Sequence, residues 1–459
     1  MAHRDIHLPS VHLRPPRGWV NDPNGLVFHD GRYHVFFQHN PHSAWHAAMH
    51  WGHYASTDLL RWEELPIALS PTPGGDDRDG VWSGNAVSYG GELIAFYSAR
   101  RDDRWYQPVT AARSRDGRTF TKDPGLLIPD PPAGLTMFRD PYVWRDGERW
   151  RMLVGAALED GRGAAVQYSS ADLRTWTYQG VFLARAPEPL PGGADTEEGW
   201  ECAQYAPFGD GRGAVLVSAW DPARGAQCTA AWTGREEGGV FSARLPAQRL
   251  DHGPDFYAPA LLHAPDGRLL MWAWSWEARD EAYVGAPSAW TDAVGWAGML
   301  TLPRELSLGA DGRLRQQPAR ELKALRGPER IRTAGSGTTE LGAVGRAAEL
   351  AVHLDGDAGL RVVTSADGTE YLEVRRDPVT GEVVVDRTHA SLDARAKRGA
   401  WRMPGGSGEL RVLLDHSVAE VFTVDGEALT VRFYPVGGDG WRIRTTGSGA
   451  YEVEAWDLG

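Results

Sequence analysis

The stretch DGRYHVFF at residues 30–37 shows how this chain of 459 residues folds. Its Asp-Gly pair is typical of a tight hairpin turn, because glycine supplies the positive φ that such a turn requires. The residues that follow alternate in the manner of a half-buried strand. Four similar stretches recur roughly every 60 residues, and they are GGELIAFY at 90–97, DGERWRML at 146–153, DGRGAVLV at 210–217 and DGRLLMWA at 266–273. The recurrence predicts a fold built from repeated β-units.

A second repeat lies between these stretches. YASTDLLRW at 54–62 resembles YSSADLRTW at 168–176, and a weaker copy runs over 112–120. A long period made of short strands is typical of radial repetition. We therefore predict an all-β protein in which residues 1–305 form a five-bladed β-propeller. We expect residues 306–334 to be a linker that can hold a short helix, and residues 335–459 to form a β-sandwich.

The composition argues against several kinds of partner. A net charge of −13 disfavours nucleic acid, whose phosphates select basic surfaces. No run approaches the roughly 18 apolar residues of a membrane span, and the polar N-terminus does not resemble a signal peptide. We therefore expect a cytoplasmic protein, or a secreted one if a leader has been removed. The two cysteines, Cys202 and Cys228, form neither a disulfide framework nor a zinc-type pattern.

Three short strings place one acid each beside residues that fix the backbone or carry charge. They are WVNDPNG at 19–25, FRDP at 138–141 and WEC at 200–202. Asp22, Asp140 and Glu201 each precede a copy of the repeat, so they share one phase of the predicted blades and can converge in a central funnel. Glycosidases need two carboxylates placed in this way. Taken singly, the strings are also explained by a turn, a surface ion pair and chance.

Many ordered motifs together resemble glycoside hydrolase family 32, the family of invertases, inulinases and levanases. They include WVNDPNGL at 19–26, FQHNP at 37–41, WGH at 51–53, LPIAL at 65–69, WSG at 82–84, FRDP at 138–141, EC at 201–202, DFYAP at 255–259 and GWAGMLTLPREL at 295–306. The resemblance covers the whole predicted propeller and extends weakly into the sandwich. It implies the same architecture and the hydrolysis of fructosides.

The resemblance also implies a role for each acid. Asp22 would be the nucleophile that forms a covalent fructosyl-enzyme, and Glu201 would be the general acid and then the general base. Asp140 would stabilise the transition state through the fructose hydroxyls. The two catalytic carboxyl groups would then lie roughly 5–5.5 Å apart, as in retaining enzymes. No metal or organic cofactor is implied, since side chains supply the acid, the base and the nucleophile.

Further positions are expected to bind substrate. Those that match family motifs are Asn21, Gln38, Trp82, Ser83, Arg139 and Asp255. Trp45 is shifted by one residue from the family spacing, and Trp274 or Trp276 is expected to form a wall of the pocket. Two segments depart from the family pattern. Ala203-Gln204 follows Glu201-Cys202 where Pro-Asp is usual, and residues 98–105 carry three arginines where relatives have a plainer Tyr-Thr-Gly. We interpret the second segment as a solvated charged loop, with contact to the funnel mouth as the alternative.

These observations favour a retaining β-fructofuranosidase that releases terminal fructose from sucrose or short fructo-oligosaccharides. An exo-fructanase acting on levan, inulin or levanbiose and a fructosyltransferase use the same intermediate, so both stay open. A fructan-binding propeller without catalysis is the alternative outside the enzymes. The expected partner is a small fructoside, and the protein is expected to be a monomer or a homo-oligomer joined through its sandwich.

Overall fold

A computed structural model describes residues 5–279, 288–438 and 440–459. In these residues the helices are limited to α1, Ala289–Val294, and a 3₁₀ helix, Arg320–Leu325. Neither has the length and apolar content that a membrane span requires. The predicted all-β class, with a propeller followed by a sandwich, is confirmed.

Five sheets make up the propeller, and each begins with its innermost strand. The first sheet contains β1 (Gly18–His29), β2 (Arg32–Asn40), β3 (His50–Ser56) and β4 (Glu63–Leu69), and the second contains β5 (Gly80–Tyr89), β6 (Glu92–Arg100), β7 (Val109–Ser114) and β8 (Thr121–Lys122). The third contains β9 (Leu135–Asp146), β10 (Arg149–Leu158), β11 (Gly163–Ser170) and β12 (Thr177–Arg185).

The last two sheets have the same hairpin order with additional short strands. The fourth contains β13 (Gly199–Pro207), β14 (Arg212–Asp221), β15 (Gly225–Glu237), β16 (Val240–Ala243) and β17 (Gln248–Arg249). The fifth contains β18 (Tyr257–His263), β19 (Leu269–Ser275), β21 (Met299–Leu300), β22 (Arg304–Leu308) and β23 (Leu314–Pro318). A two-residue strand, β20 (Trp296–Ala297), pairs with β1 in parallel and joins the end of the propeller to its beginning.

The repeated Asp-Gly and Gly-Gly pairs lie at the turn between the first and second strand of every sheet. In the first of these turns Asp30 and Gly31 have φ values of 45° and 77°. Two successive positive φ angles match the twist of the flanking strands, and so the pair favours this hairpin. The repeat therefore fixes which strand of each sheet is innermost.

The innermost strands form a ring of contacts. Strand β1 contacts β5, β5 contacts β9, β9 contacts β13, β13 contacts β18, and β18 contacts β1. Residues at one phase of the repeat consequently face one axis. This arrangement brings together side chains that are far apart in the sequence.

The C-terminal part is a sandwich of two six-stranded sheets. One sheet has the order β24 (Arg326–Ser336), β35 (Ala450–Leu458), β26 (Ala347–Leu354), β31 (Glu409–Asp415), β32 (Val418–Thr423) and β33 (Ala428–Arg432). The other has the order β25 (Glu340–Val344), β34 (Trp441–Thr446), β27 (Gly359–Val363), β28 (Tyr371–Arg376), β29 (Val383–Asp386) and β30 (Ala400–Met403). Leu350, Val412, Leu360 and Trp441 are fully buried between them. Burial of alternate residues from both sheets forms this core.

The expected linker at residues 306–334 is shorter in the structure. Strands β22 and β23 form a hairpin of the fifth propeller sheet, and β24 already belongs to the sandwich. The 3₁₀ helix Arg320–Leu325 lies between them. The sequence repeat fades before this hairpin, and for that reason the repeat alone places the boundary earlier.

A buried ionic network, which we call the domain-junction network, joins the two parts. Arg304 of β22 pairs with Asp251, which follows β17, and with Glu420 of β32. His12 of the N-terminal segment contacts both Glu420 and Asp415. All five side chains have no exposed surface. The propeller and the sandwich therefore share a polar core at their junction.

Candidate active site

Every innermost strand has a β-bulge near the axis, and the acids lie at these bulges. The register shifts fall between Val20 and Pro23 in β1, Trp82 and Gly84 in β5, Arg139 and Tyr142 in β9, Glu201 and Gln204 in β13, and Tyr257 and Ala260 in β18. Asp140, Cys202 and Ala258 have φ values of 64°, 48° and 50°. A bulge inserts an extra residue and re-aims a side chain. The five bulges thus turn neighbouring side chains toward one cavity.

Asp22 is held by two hydrogen-bond donors. Ser83 Oγ donates to Oδ2 at 2.6 Å, and Asn21 Nδ2 donates to Oδ1 at 3.0 Å. Trp19 Nε1 fixes the Asn21 amide by donating to its Oδ1 at 2.8 Å. Burial and the nearby charge of Glu201 raise the pKa of Asp22 to about 6, although the hydrogen bonds from Ser83 and Asn21 oppose the shift. The carboxylate is therefore ionised above that pH and oriented by neutral donors.

Asp140 lies beside Asp22 and is positioned through its backbone and its side chain. Its N–H donates to Ser98 Oγ at 2.8 Å, and its Oδ2 accepts from Cys202 N at 3.0 Å. The Cys202 thiol lies 3.7 Å from Oδ2 of Asp140 and 3.7 Å from Oδ2 of Asp22. Burial and the charge of Glu201 raise the pKa of Asp140 to about 7, against the opposing effect of Arg139. Cys202 thus bridges the two aspartates.

Glu201 has one charged partner and one neutral partner. Arg139 Nε donates to Oε1 at 2.9 Å, and Tyr257 Oη donates to Oε2 at 2.8 Å. The Arg139 guanidinium also stacks on Trp220, with Cζ 4.7 Å from the ring centroid. Both oxygens of Glu201 are therefore fixed in direction by residues from the neighbouring blades.

These side chains line one open cavity of about 480 Å³. Among the predicted site residues, those that line it are Asn21, Asp22, Gln38, Trp82, Ser83, Arg139, Asp140, Glu201 and Trp274. All three acids are thus brought together, as their shared phase predicts. A cavity of this size accommodates a disaccharide-sized ligand.

Asp255 is a correction to the sequence-based assignment. Its carboxylate is buried and pairs with Arg387 of the sandwich, while Arg432 N donates to Oδ2 at 2.7 Å. It does not line the cavity. Asp255 lies two positions before β18, where the chain still contacts the sandwich. Its ion-pair partner Arg387 is distant in the sequence. Asp255 therefore joins the two parts of the molecule.

Trp45 and Trp276 are also placed away from the cavity lining. The Trp45 carbonyl accepts from Asn40 Nδ2 at 3.0 Å, while its neighbour His46 lines the cavity and contacts Trp82 edge-on. Trp276 stacks on Tyr257 with ring centroids 5.5 Å apart. Trp45 is displaced by one residue from the family spacing, which gives the cavity wall to His46. Trp276 packs against Tyr257 and Trp274, which both line the cavity.

Several residues that line the cavity were not predicted as site residues from the sequence. They are His46, Arg100, Arg104, Trp105, Trp220, Gly225, Ala226 and Tyr257. Tyr257 lies within the DFYAP motif, so its motif could have indicated it. Arg100 and Arg104 come from the segment that we interpreted as a solvated loop. No cluster of three or more metal-ligating side chains is found in the part of the chain that the structure describes.

A second concave surface, of about 540 Å³, lies on the outer face of the first sandwich sheet. Arg332, Arg411, Glu409 and Glu454 line it with mixed charge, and its one phenyl ring, Phe422, is buried. Sugar sites usually offer an exposed aromatic face and converging polar groups. The propeller cavity therefore fits a carbohydrate site better.

A propeller whose axis presents three carboxylates, with aromatic rings around them, defines the class of protein as a glycoside hydrolase. The family comparison agrees. Residues 12–318 match the model of the glycosyl hydrolases family 32 N-terminal domain, and residues 321–457 match the family 32 C-terminal model. The chain belongs to glycoside hydrolase family 32.

Curated relatives and solved structures extend the match over nearly the whole chain. A raffinose invertase of Escherichia coli is 35% identical, over 93% of this chain and 89% of the relative. A sucrose-6-phosphate hydrolase of Klebsiella pneumoniae is 36% identical, over 95% of this chain and 90% of the relative. The structure of a Bombyx mori β-fructofuranosidase aligns with a TM-score of 0.82 at 27% identity, covering 99% and 94% of the two chains.

Proposed function

We propose that this protein is a retaining β-fructofuranosidase that releases the terminal fructosyl residue of sucrose or short fructo-oligosaccharides. The observation that carries the proposal is the convergence of Asp22, Asp140 and Glu201 in one cavity with their hydrogen-bond donors in place. Relatives named invertase and sucrose-6-phosphate hydrolase support the substrate type. A solved relative from Bombyx mori, 26% identical, is in complex with sucrose.

In the first step Asp22 attacks the anomeric carbon of the fructosyl ring. The bond from this carbon to the bridging oxygen breaks, and Glu201 transfers its proton to that oxygen so that the leaving group departs neutral. Ser83 and Asn21 orient the Asp22 carboxylate. Arg139 and Tyr257 hold Glu201 at the leaving-group side of the cavity.

In the second step water replaces the leaving group. Glu201, now a carboxylate, removes a proton from the water, and the resulting oxygen nucleophile breaks the ester to Asp22. Two inversions at the anomeric carbon give overall retention. Asp140 accepts hydrogen bonds from fructose hydroxyls and stabilises the positive charge that develops on the ring, and Cys202 N–H keeps its Oδ2 in place.

The propeller and the sandwich have different roles in this proposal. All residues to which we assign chemistry lie in the propeller, and the sandwich contributes buried partners such as Arg387 and Glu420 at the junction. We propose that the sandwich supports the catalytic propeller. An exo-fructanase or a fructosyltransferase would use the same residues, and the identity of the leaving group and of the acceptor separates these activities.

The test is fructose release from sucrose, 1-kestose, levanbiose, inulin and levan, with the Asp22→Ala protein as a matched blank. Release from the small sugars, with β-fructofuranose as the first anomer seen by NMR, would support the proposal. Release mainly from the polymers would change the assignment to a fructanase. Binding of these sugars without release would overturn the hydrolase and leave a fructan-binding propeller.

A further inference from the structure

Two hydrogen bonds connect the strand of Glu201 to the next strand in the ring of innermost strands. Strands β13 and β18 belong to different sheets, and among the described residues no ladder of backbone hydrogen bonds joins them. Tyr257 Oη on β18 donates to Glu201 Oε2 on β13 at 2.8 Å, and Leu261 N on β18 donates to Gln204 Oε1 on β13, also at 2.8 Å. Gln204 and Leu261 are both buried. Side chains of β13 therefore hold the two strands together at two positions.

The two hydrogen bonds enclose the bulges of both strands. The register of β13 shifts between Glu201 and Gln204, and that of β18 shifts between Tyr257 and Ala260. Each bulge contains one non-glycine residue with positive φ, at 48° in β13 and at 50° in β18. A backbone in this conformation is strained and keeps its shape only where the surrounding structure holds it. One hydrogen bond lies at each end of this strained segment, so both ends are held.

Another pair of innermost strands has the same arrangement. Asn85 of β5 donates from Nδ2 to Val143 O at 2.8 Å and accepts from Val143 N at 2.9 Å. Asn85 follows the bulge of β5, and Val143 follows the bulge of β9. A buried amide side chain thus joins β5 to β9 as Gln204 joins β13 to β18. This recurrence indicates that the amide contact is part of the construction of the site.

Gln204 makes its contact without a charge, although the family usually has aspartate at this position. Burial and the charge of Glu201 already raise the pKa values of Asp22 and Asp140. A further buried carboxylate nearby would raise them more, because like charges disfavour the ionised form. Asp22 would then be ionised only at higher pH. The neutral amide therefore accepts from Leu261 N and leaves the ionisation of the nucleophile undisturbed.

We propose that Gln204 is a positioning residue that sets the reach of Glu201 toward the bridging oxygen of the substrate. The inference rests on the proposed function and adds a residue to its machinery. Without the Gln204 contact one end of both bulges is released, so the strained backbone relaxes and moves Glu201 relative to the leaving group. A misplacement of roughly 1 Å costs about 100-fold in rate. Asp22 lies on β1 and is oriented by Ser83 and Asn21, so its attack does not depend on this contact.

The test compares kcat/KM for sucrose and for an aryl β-fructofuranoside with an acidic phenol, which departs without a proton from Glu201. For both substrates kcat/KM reflects the steps up to release of the leaving group. Gln204→Met keeps the length of the side chain but removes the acceptor. It should lower kcat/KM for sucrose by about 10- to 100-fold and that for the aryl substrate much less. Gln204→Glu retains an acceptor oxygen and should restore the ratio of the two values, while its charge moves the acid limb of both pH profiles to higher pH.

Gln248→Met is the matched control, because Gln248 of β17 joins two strands in the same way outside the innermost ring. Its Nε2 donates to Leu314 O of β23 at 2.8 Å, and its Oε1 accepts from Leu314 N at 3.0 Å. This variant should lower the melting temperature about as much as Gln204→Met and leave the ratio of the two kcat/KM values unchanged. Equal losses for both substrates in Gln204→Met, or no loss, would overturn the positioning role alone. A wild-type protein that hydrolyses neither substrate would refute the proposed function itself.

Discussion

At the scale of single residues, Asp22 shows how the site balances reactivity against ionisation. Burial raises its pKa to about 6, and Ser83 and Asn21 each donate a hydrogen bond that favours the charged form. A carboxylate with a raised pKa is a better nucleophile, provided that the working pH keeps it ionised. The two neutral donors favour the ionised form of Asp22. They do so without a positive charge, which would reduce the nucleophilicity of the carboxylate.

Ser83→Ala should move the acid limb of the pH profile of kcat/KM to higher pH. Loss of a hydrogen bond to a charged group is worth about one pKa unit or more. The limb of the wild-type enzyme should lie between about pH 6 and 7, where Asp22 and Asp140 ionise. Ser88→Ala, on the same strand but bonded to His29, is the control. An unshifted limb in Ser83→Ala would contradict the role given to this hydroxyl.

Glu201→Ala should reduce turnover in proportion to the basicity of the leaving group. Sucrose, with a poor leaving group, should lose about 10²- to 10⁴-fold, which is the usual contribution of general acid catalysis. An aryl β-fructofuranoside with an acidic phenol should lose far less in the first step. Azide should restore part of the rate by replacing water in the second step. Equal losses for both substrates without azide rescue would refute the acid/base assignment.

At the scale of elements, the bulges of the five innermost strands give the site its shape. Each bulge leaves two residues opposite one partner, so neighbouring side chains such as Trp82 and Ser83 can both face the cavity. The cost is backbone strain at Asp140, Cys202 and Ala258, which have positive φ. Non-glycine residues in this region cost about 1–2 kcal/mol each. The surrounding sheets maintain that strain.

Ala258→Gly should leave the free energy of unfolding nearly unchanged, because relief of the strain at φ 50° offsets the added freedom of the unfolded chain. The matched change Ala273→Gly, on the facing strand and outside the positive-φ residues, should destabilise the protein by about 0.5–1 kcal/mol. Urea unfolding of both variants measures the difference. Equal destabilisation would show that the bulge at Ala258 stores no strain.

The sequence predicted the elements better than it predicted the direction of side chains. The Asp-Gly turns recur in every hairpin, so blade order and the shared phase of the three acids could be read directly. Asp255 lies in a matching motif, yet its partner Arg387 is 132 positions further along, and no local pattern reports such a contact. His46, and not Trp45, lines the cavity, because a shift of one residue along the chain turns the side chain to the other side. Arg104 looked solvated because charged loops usually are.

At the scale of the whole molecule, the domain-junction network gives the propeller and the sandwich one shared polar core. Arg304 connects Asp251 and Glu420, and His12 connects Glu420 and Asp415. Removal of one member of a buried ion pair leaves its partner uncompensated and costs about 3–5 kcal/mol. The two parts of the chain should consequently unfold in one transition. The boundary between the propeller and the sandwich is an interface to which both parts contribute buried residues. The sequence repeat weakens before this boundary and therefore does not locate it.

His12 gives this network a dependence on pH. Burial alone would discharge the imidazole, but its hydrogen bonds to Asp415 and Glu420 prevail and raise its pKa to about 9. The charged ring therefore stabilises the folded state fully below the unfolded pKa of about 6.5. That contribution, about 3 kcal/mol, is lost as the pH rises from about 6.5 through 9.

The free energy of unfolding of the wild-type protein, measured in urea, should therefore fall between pH 6.5 and 9.5 by up to about 3 kcal/mol through this residue. His12→Gln should be less stable than the wild type at pH 6.5, because Asp415 and Glu420 lose their shared cation, and the difference should shrink toward pH 9.5. His353→Gln, on the outer face of the sandwich, is the control and should follow the wild-type curve. A constant difference between His12→Gln and the wild type at every pH would mean that the ring acts by packing and hydrogen bonding rather than by its charge.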